Sequence, residues 1–279
     1  MTTTDQNEPS EARASLSQQV ADLRTEGEEL SMLLSSLDAR NWDRTTGFKD
    51  WTIYDVVAHL HFSDHMGVTT MRSSDAFHDL MADVSASGLA MADYTRRWLG
   101  DISAAQLLSR WCELFADMCD RLAAMDPDER LTWAGPGMKP RMFTTARQME
   151  TWAHGWEIYD LLGTPRRHTD RIKNIATIGV RTFGWTFINR KLDVPADVPY
   201  VRLTAPSGAI WEFDASNASN RVSGTAVEFC QVVTQVRNIA DTSLEVIGES
   251  ATAWMAIAQC FAGAPAEPPA PGTRIGHTG

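Results

Sequence analysis

From Ser15 onward the apolar positions Leu16, Val20, Leu23, Leu30, Leu34 and Leu37 step by four, three, seven, four and three residues. That spacing puts them on one stripe of a helix that buries a single face, the pattern of a bundle member. A loop rich in Asp, Arg, Thr and Gly follows and ends at Trp51. Thr52 then reads as an N-cap, with Asp55 three residues on in a variant of the capping box. The helix it opens carries Val56, Val57, His59 and Leu60. Residues 73–100 read as helical but interrupted at Ser85-Ala86-Ser87-Gly88. A third strong helix runs from about Ser103 to Met125, with Leu107, Leu108, Trp111, Leu114, Phe115, Met118, Leu122 and Met125 at bundle spacing, and DPDER ends it. The segment LTWAGPGMKPRMF has two Pro and two Gly and reads as a loop long enough to lie over a site. Thr144 or Thr145 is expected to cap a fourth helix that runs to Leu162, with Gly163 at its C′ position and Pro165 blocking continuation.

After Pro165 the pattern changes. Residues 170–190 predict one more helix, and VPYVRLTAPSGAIWEFD alternates over two runs joined by Pro-Ser-Gly, a β-hairpin. A helix across 225–240 is expected after Gly224, then a short strand-like LEVIG and a last helix over ATAWMAIAQCFAG. The fold class expected is α+β: a four-helix bundle over 13–165 and a smaller α+β domain over 166–262. Polar residues 1–12 and the Pro/Gly-rich residues 263–279 are expected to be disordered tails.

Composition narrows the class of partner. The chain has 279 residues, a net charge of −11, and no Lys/Arg stripe, which argues against nucleic acid. Four cysteines, Cys112, Cys119, Cys230 and Cys260, form no C-x-x-C pair, and three sit in apolar helical contexts suited to buried thiols. MTTTDQNEPSEAR has no hydrophobic run of a signal peptide, and no window approaches about 18 consecutive apolar residues. The expectation is a cytoplasmic protein, monomer or homodimer, with a small-molecule substrate and neither nucleic acid nor membrane as partner.

The candidate chemistry lies in ARQMETWAHGWEIYD. Glu150 and His154 are four residues apart, so on a helix they lie about 40° apart around the axis with Cβ atoms roughly 6 Å apart. A carboxylate and an imidazole so placed can both reach one divalent ion. His59, on another predicted helix, brings the set to three, the ligand count of a catalytic zinc site with one position open. Each has a plainer reading. His59 can be a half-buried structural histidine, Glu150 a solvated first-turn carboxylate, and His154 a ring packed between Trp152 and Trp156. Asp55 is either a cap or an acceptor for the second imidazole N–H of His59. Arg147, one turn before Glu150, either neutralises a substrate carboxylate or pairs with Glu150; Arg141 is a weaker anchor candidate. Trp133, Trp152 and Trp156 either line an apolar pocket or belong to the core, and His61, His65 and His78 read as surface residues. G-x-S-x-G, Walker A and G-x-G-x-x-G are all missing, so serine-hydrolase and nucleotide chemistry get no support.

DWTIYDVVAHL resembles the W-[ST]-x-x-D-x-x-x-H-L of the DinB-like metal-binding superfamily and, more narrowly, of the mycothiol-dependent maleylpyruvate isomerase family of actinobacteria. GPGMKPRMFTTARQMETWAHGWEIYDLLG resembles an uncharacterised actinobacterial branch of it. The resemblance implies a DinB-like bundle in which His59, Glu150 and His154 hold a divalent metal, zinc first. It also implies a C-terminal domain that lends an arginine, here Arg237, expected at the end of its helix; family members often have Gly where Val236 stands. Mycothiol or another low-molecular-weight thiol would be the second cofactor. The reaction implied is isomerisation or thiol transfer on a small unsaturated acid or thioester. Two alternatives stay open: a hydrolase, hydratase or lyase that uses metal-activated water, and a protein that binds metal or a small ligand without turnover.

Overall fold

A computed structural model describes residues 7–133, 135, 137–214 and 219–274 of the chain. Its contacts divide the chain into two units, residues 1–155 and 156–279. The expected α+β class is borne out, with helices in the first unit and a small sheet with helices in the second. Among the described residues no helix is long and apolar enough to cross a membrane.

The first unit contains α1 (Asn7–Ser35), α2 (Ile53–Arg72), α3 (Ser74–Ala86), α4 (Met91–Leu99), α5 (Ala104–Ala124) and most of α6 (Pro140–Leu162). The stripe Leu16, Val20, Leu23, Leu30 and Leu34 is buried as its spacing predicts, while Leu37 falls past the end of the helix and is half-buried; α1 and α2 both pack on α5. Gly27 permits the α1–α5 approach, since a Cβ there would stand 2.3 Å from the Phe115 ring. The helical pattern of residues 73–100 resolves into α3 and α4, which break at Gly88 with φ 63°. Phe62 and Met66 of α2, Phe77 of α3 and Tyr94 of α4 form a buried cluster against which Trp98 and Trp133 pack.

Two helix starts differ from expectation. α1 begins at Asn7, inside the segment 1–12 expected to be a disordered tail; residues 1–6 lie outside the described ones. Pro9 falls in the first turn, where a missing N–H breaks no helical hydrogen bond, and Ala12 and Ala14 carry the helix on. α6 begins at Pro140 rather than after Thr144 or Thr145. Proline is preorganised for the first helical position. The buried Thr144 hydroxyl donates back to the Pro140 carbonyl, 2.8 Å, so it sits inside the helix rather than capping it.

In the second unit, β1 (Tyr200–Thr204) and β2 (Ile210–Phe213) form the expected antiparallel hairpin. β3 (Arg221–Thr225), which the sequence pattern did not reveal, pairs parallel with β1, and β4 (Glu245–Ile247) pairs antiparallel with β3, giving the order β2-β1-β3-β4. Residues 170–190 hold two helices, α7 (Lys173–Arg181) and α8 (Phe183–Asn189), because Thr182 leaves helical geometry and bonds back to the Ile178 and Gly179 carbonyls. α9 (Ala226–Val233) ends well before residue 240. Gln235 turns left-handed, φ 58°, and the Gln231 carbonyl accepts from the N–H groups of Val236 and Arg237. Arg237 therefore lies in the turn beyond the helix. α10 (Glu249–Ile257) stops before Cys260, whose N–H donates to the Val233 carbonyl. The tail past residue 262 has no regular element, yet its described part is tied down: Gln235 donates to Ala266, Asn238 to Pro269, and Gly272 to Asp241. Those bonds, from side chains and backbone, replace the apolar contacts that the composition lacks.

The start of α2 positions the helix that carries His59. Thr52 Oγ1 accepts from the Asp55 N–H, and the Thr52 N–H donates to Asp55 Oδ2 at 2.9 Å, a complete capping box. Burial alone would raise the Asp55 carboxyl, but bonds from Arg96 and Thr52 and the Arg96 charge bring it below its ordinary value. A depressed carboxylate contributes stability above its unfolded pKa, about 3.9, and loses it as pH falls through the folded value. Thr52→Ala is expected to cost about 1 kcal/mol in urea unfolding. The gap between wild type and Asp55→Asn should be largest at neutral pH and close below about pH 4, and a pH-independent gap would contradict the role of the charge.

Candidate metal centre

His59 lies two turns into α2, and Glu150 and His154 stand one turn apart on α6. The structure brings all three together, with one ligand atom from each lying within 4.8 Å of the others. Glu150 Oε2 is 3.4 Å from His154 Nε2 and 3.8 Å from His59 Nε2, so one carboxylate oxygen faces two imidazoles. The His59 and His154 ring centroids are 4.8 Å apart at 68°. Side-chain exposure is 19% for His59, 25% for Glu150 and 11% for His154, enough for a small molecule to reach a cluster that is otherwise packed.

Electrostatics suit a cation. Burial pushes the His59 imidazole down to about 4, so it is neutral and has a lone pair to give at pH 7. Burial alone would raise the Glu150 carboxyl, but contact with His154 and His59 holds it well below its usual range, so it is ionised. Two imidazole nitrogens and one carboxylate oxygen form a donor set that divalent zinc accepts. The Nδ1 of His59 is buried without a hydrogen-bond partner. Asp55, considered as its acceptor, is taken instead by Thr52 and Arg96, and acts as a cap.

A wall of this site escaped the sequence reading. The Phe48 ring meets His154 edge-on at 5.1 Å, while Trp51 stacks parallel to His154 at 6.2 Å and tilts over His59 at 5.2 Å. Both rings hang from a tight turn in which the Trp51 N–H donates to the Phe48 carbonyl, 2.9 Å. Its central residues, Lys49 and Asp50, have φ of 51° and 57°, the left-handed pair that Asn-Gly normally supplies in a type I′ turn. Without Asn or Gly, the usual sequence signal for this turn is missing. Trp152, by contrast, is buried core, and Trp133 packs between Phe77 and Phe143. Trp156 belongs to the second unit, stacked on His168.

Arg147 is turned neither to Glu150 nor to the surface. Its Nε donates to Asp64 Oδ1 at 3.0 Å, and Asp64 Oδ2 accepts from the Trp111 indole at 3.0 Å. Arg141 is exposed in the first turn of α6. His61, expected at the surface, is buried against Trp98 at 5.3 Å; His65 also lies on Trp98, and His78 is exposed. In the second unit Arg237 is buried and holds Asp160 through Nη1 and Nη2, at 2.6 and 2.7 Å, with its face over the Trp156 ring.

Two non-Gly residues in left-handed conformation hold about 1 kcal/mol of strain each. Lys49→Asn with Asp50→Gly is expected to raise stability by about 1–2 kcal/mol in urea unfolding while keeping Phe48 and Trp51 in place. Destabilisation by the pair of changes would mean that these side chains do more than span the turn.

Comparison with known proteins adds to this geometry. Residues 23–159 match the family described as the mycothiol maleylpyruvate isomerase N-terminal domain. Uncharacterised proteins of Mycobacterium tuberculosis, strains H37Rv and CDC 1551 / Oshkosh, are each 38% identical over 246 residues, 88% of this chain and 96% of theirs. The crystal structure of a mycothiol-dependent maleylpyruvate isomerase aligns at a TM-score of 0.51 with 14% identity, over 78% of this chain and 88% of that one. A mutant of that enzyme aligns at 0.52 with 13% identity and the same coverage. At such identity the likeness is one of fold.

Proposed function

The chain belongs to the mycothiol-dependent maleylpyruvate isomerase family, and from that premise we propose that it is a metal-dependent isomerase or thiol transferase. His59, Glu150 and His154 are the residues assigned to hold the ion, zinc by the two-nitrogen, one-carboxylate donor set. When bound, such an ion supplies a Lewis acid that keeps a thiol or water nucleophilic at neutral pH. The observation that carries the reading is the convergence of the three donors from two helices.

The protein's own groups have defined roles in this reading. Glu150 brings the negative charge, and the neutral His59 avoids repelling a cation. Phe48 and Trp51 keep water from one side and offer ring faces, which favour sulfur and flat conjugated groups. That supports a low-molecular-weight thiol such as mycothiol as cosubstrate and a small unsaturated acid or thioester as substrate. Cys119 and Cys230 are poor substitutes for such a thiol, because both are buried and burial pushes their pKa up, that of Cys119 to about 12. The resemblance also nominates Arg237 as the cationic residue of the reaction, whereas Arg147, a candidate from its place one turn before Glu150, is committed to Asp64. Arg237 already grips a carboxylate, that of Asp160, by the bidentate geometry that a substrate carboxylate needs.

Untagged protein analysed by plasma mass spectrometry is expected to contain about one zinc per chain, lost in His59→Ala, Glu150→Ala and His154→Ala. The filled protein is then assayed with maleylpyruvate and mycothiol. Turnover that needs both metal and thiol supports the isomerase reading; turnover with metal alone favours a water-using enzyme. Metal binding with neither activity, across a panel of thiols and unsaturated acids, would leave a binding protein. Absence of metal after refilling with several divalent ions would overturn the proposal.

A further inference from the structure

We infer that the buried pair Asp64–Arg147, anchored by Trp111, locks the register of α2 against α6 and so preorganises the three metal ligands, which makes both charged residues positioning residues of the site. The inference rests on the metal reading above and adds to it two residues outside the ligand set.

Asp64 is 0% exposed, Arg147 2% and Trp111 1%, so a full ion pair is sealed in the bundle. One carboxylate joins three helices: Oδ1 faces Arg147 of α6, with Nε at 3.0 Å and Nη2 at 2.9 Å, and Oδ2 accepts from Trp111 of α5 at 3.0 Å. Nη2 is close but out of line, and forms no hydrogen bond. Asp64 is thus held by two well-aligned directional bonds, one from Arg147 and one from Trp111.

Sequence spacing relates this pair to the ligands. Asp64 follows His59 by five residues, and Arg147 precedes Glu150 by three and His154 by seven. The partners therefore run in opposite directions, as on antiparallel helices, with the two contacts about 7 Å apart along the axes. A slip of one turn, about 5.4 Å, would separate Asp64 from Arg147 and His59 from Glu150 together. Packing alone does not resist such a slip well, since leucine or methionine tolerates displacement that an aligned N–H···O bond does not. A buried ion pair generally adds little net stability over a well-packed apolar pair, and fixing register is its best-attested use. The need is greatest before metal arrives, when nothing bridges the ligands.

The test replaces the charges together. In the full-length untagged chain, Asp64→Leu with Arg147→Met should unfold near the wild-type temperature, because no lone charge is left buried. Its zinc affinity, read by competition with a chromophoric chelator, is expected to fall about 10–100-fold. Amide exchange across residues 147–154 of the metal-free protein should speed up relative to α1. A folded double variant that binds zinc within about twofold of wild type would overturn the inference. Should the double variant not fold, Trp111→Phe removes only the indole bond to Asp64; unchanged affinity and unchanged exchange there would overturn it equally. If wild type itself binds no zinc, the function proposed above fails, while exchange in the metal-free proteins still decides whether the lock exists.

Discussion

A carboxylate can be sealed inside a helical bundle only if a counter-charge and hydrogen-bond donors are sealed in with it, and that requirement shapes the first unit of this protein. Asp64 has no exposure, so α6 must deliver Arg147 and α5 must deliver Trp111 to within bonding distance. Apolar stripes bring α1 and α2 onto α5 but leave rotation and sliding loosely defined. The ion pair removes that freedom because its bonds are short and directional. Loss of either partner alone would leave a buried charge unpaired, which couples correct helix register to folding itself.

Moving outward from that pair, the chemistry changes with burial. Asp64 and Arg147 neutralise each other and have nothing left to offer a substrate. Five residues away along α2, His59 meets Glu150 and His154 where side chains keep some exposure, and among the described residues no Lys or Arg side chain forms an ion pair with Glu150. The cluster thus keeps donor atoms facing one another, unlike the sealed pair, whose charges are spent on each other. Phe48 and Trp51 cover one side at the expense of two left-handed residues in their turn. Strain of that kind persists where the neighbours over-determine it, and here the Thr46 N–H and hydroxyl both bond the Trp51 carbonyl.

The second unit repeats one element of this logic. Arg237 is buried with Asp160 in a bidentate pair and lies over Trp156, so its guanidinium is planar, oriented and desolvated. Its turn exists because α9 ends early, with Gln235 left-handed and bonded to the Ala258 and Ala266 carbonyls. The segment past α10 supplies those acceptors. It is irregular in backbone and poor in apolar residues, and is fixed by hydrogen bonds instead.

Local signals settled much of this. The stripe of α1, the Thr52–Asp55 box, the start of α5 at Ser103, the Gly163 stop and the β1–β2 hairpin each depend on residues near in sequence, and each is found where its residues stand. Glu150 and His154 share a face because helix geometry alone requires it. The sequence did not show β3, whose partner β1 lies across a hairpin, nor the ends of α7 and α9, which are set by side-chain and backbone bonds formed after folding. α6 carries buried Thr144, Thr145, Arg147, Gln148 and Thr151 among its apolar residues, so periodicity cannot say which polar groups point inward. That is why Asp64 could not be paired with Arg147 from the sequence, or Trp51 placed beside His59. The chain by itself determined which helices form and which residue types they carry. Only tertiary packing decided which charge meets which, because a contact between residues 83 positions apart is fixed by helix register and burial, neither of which is a local property.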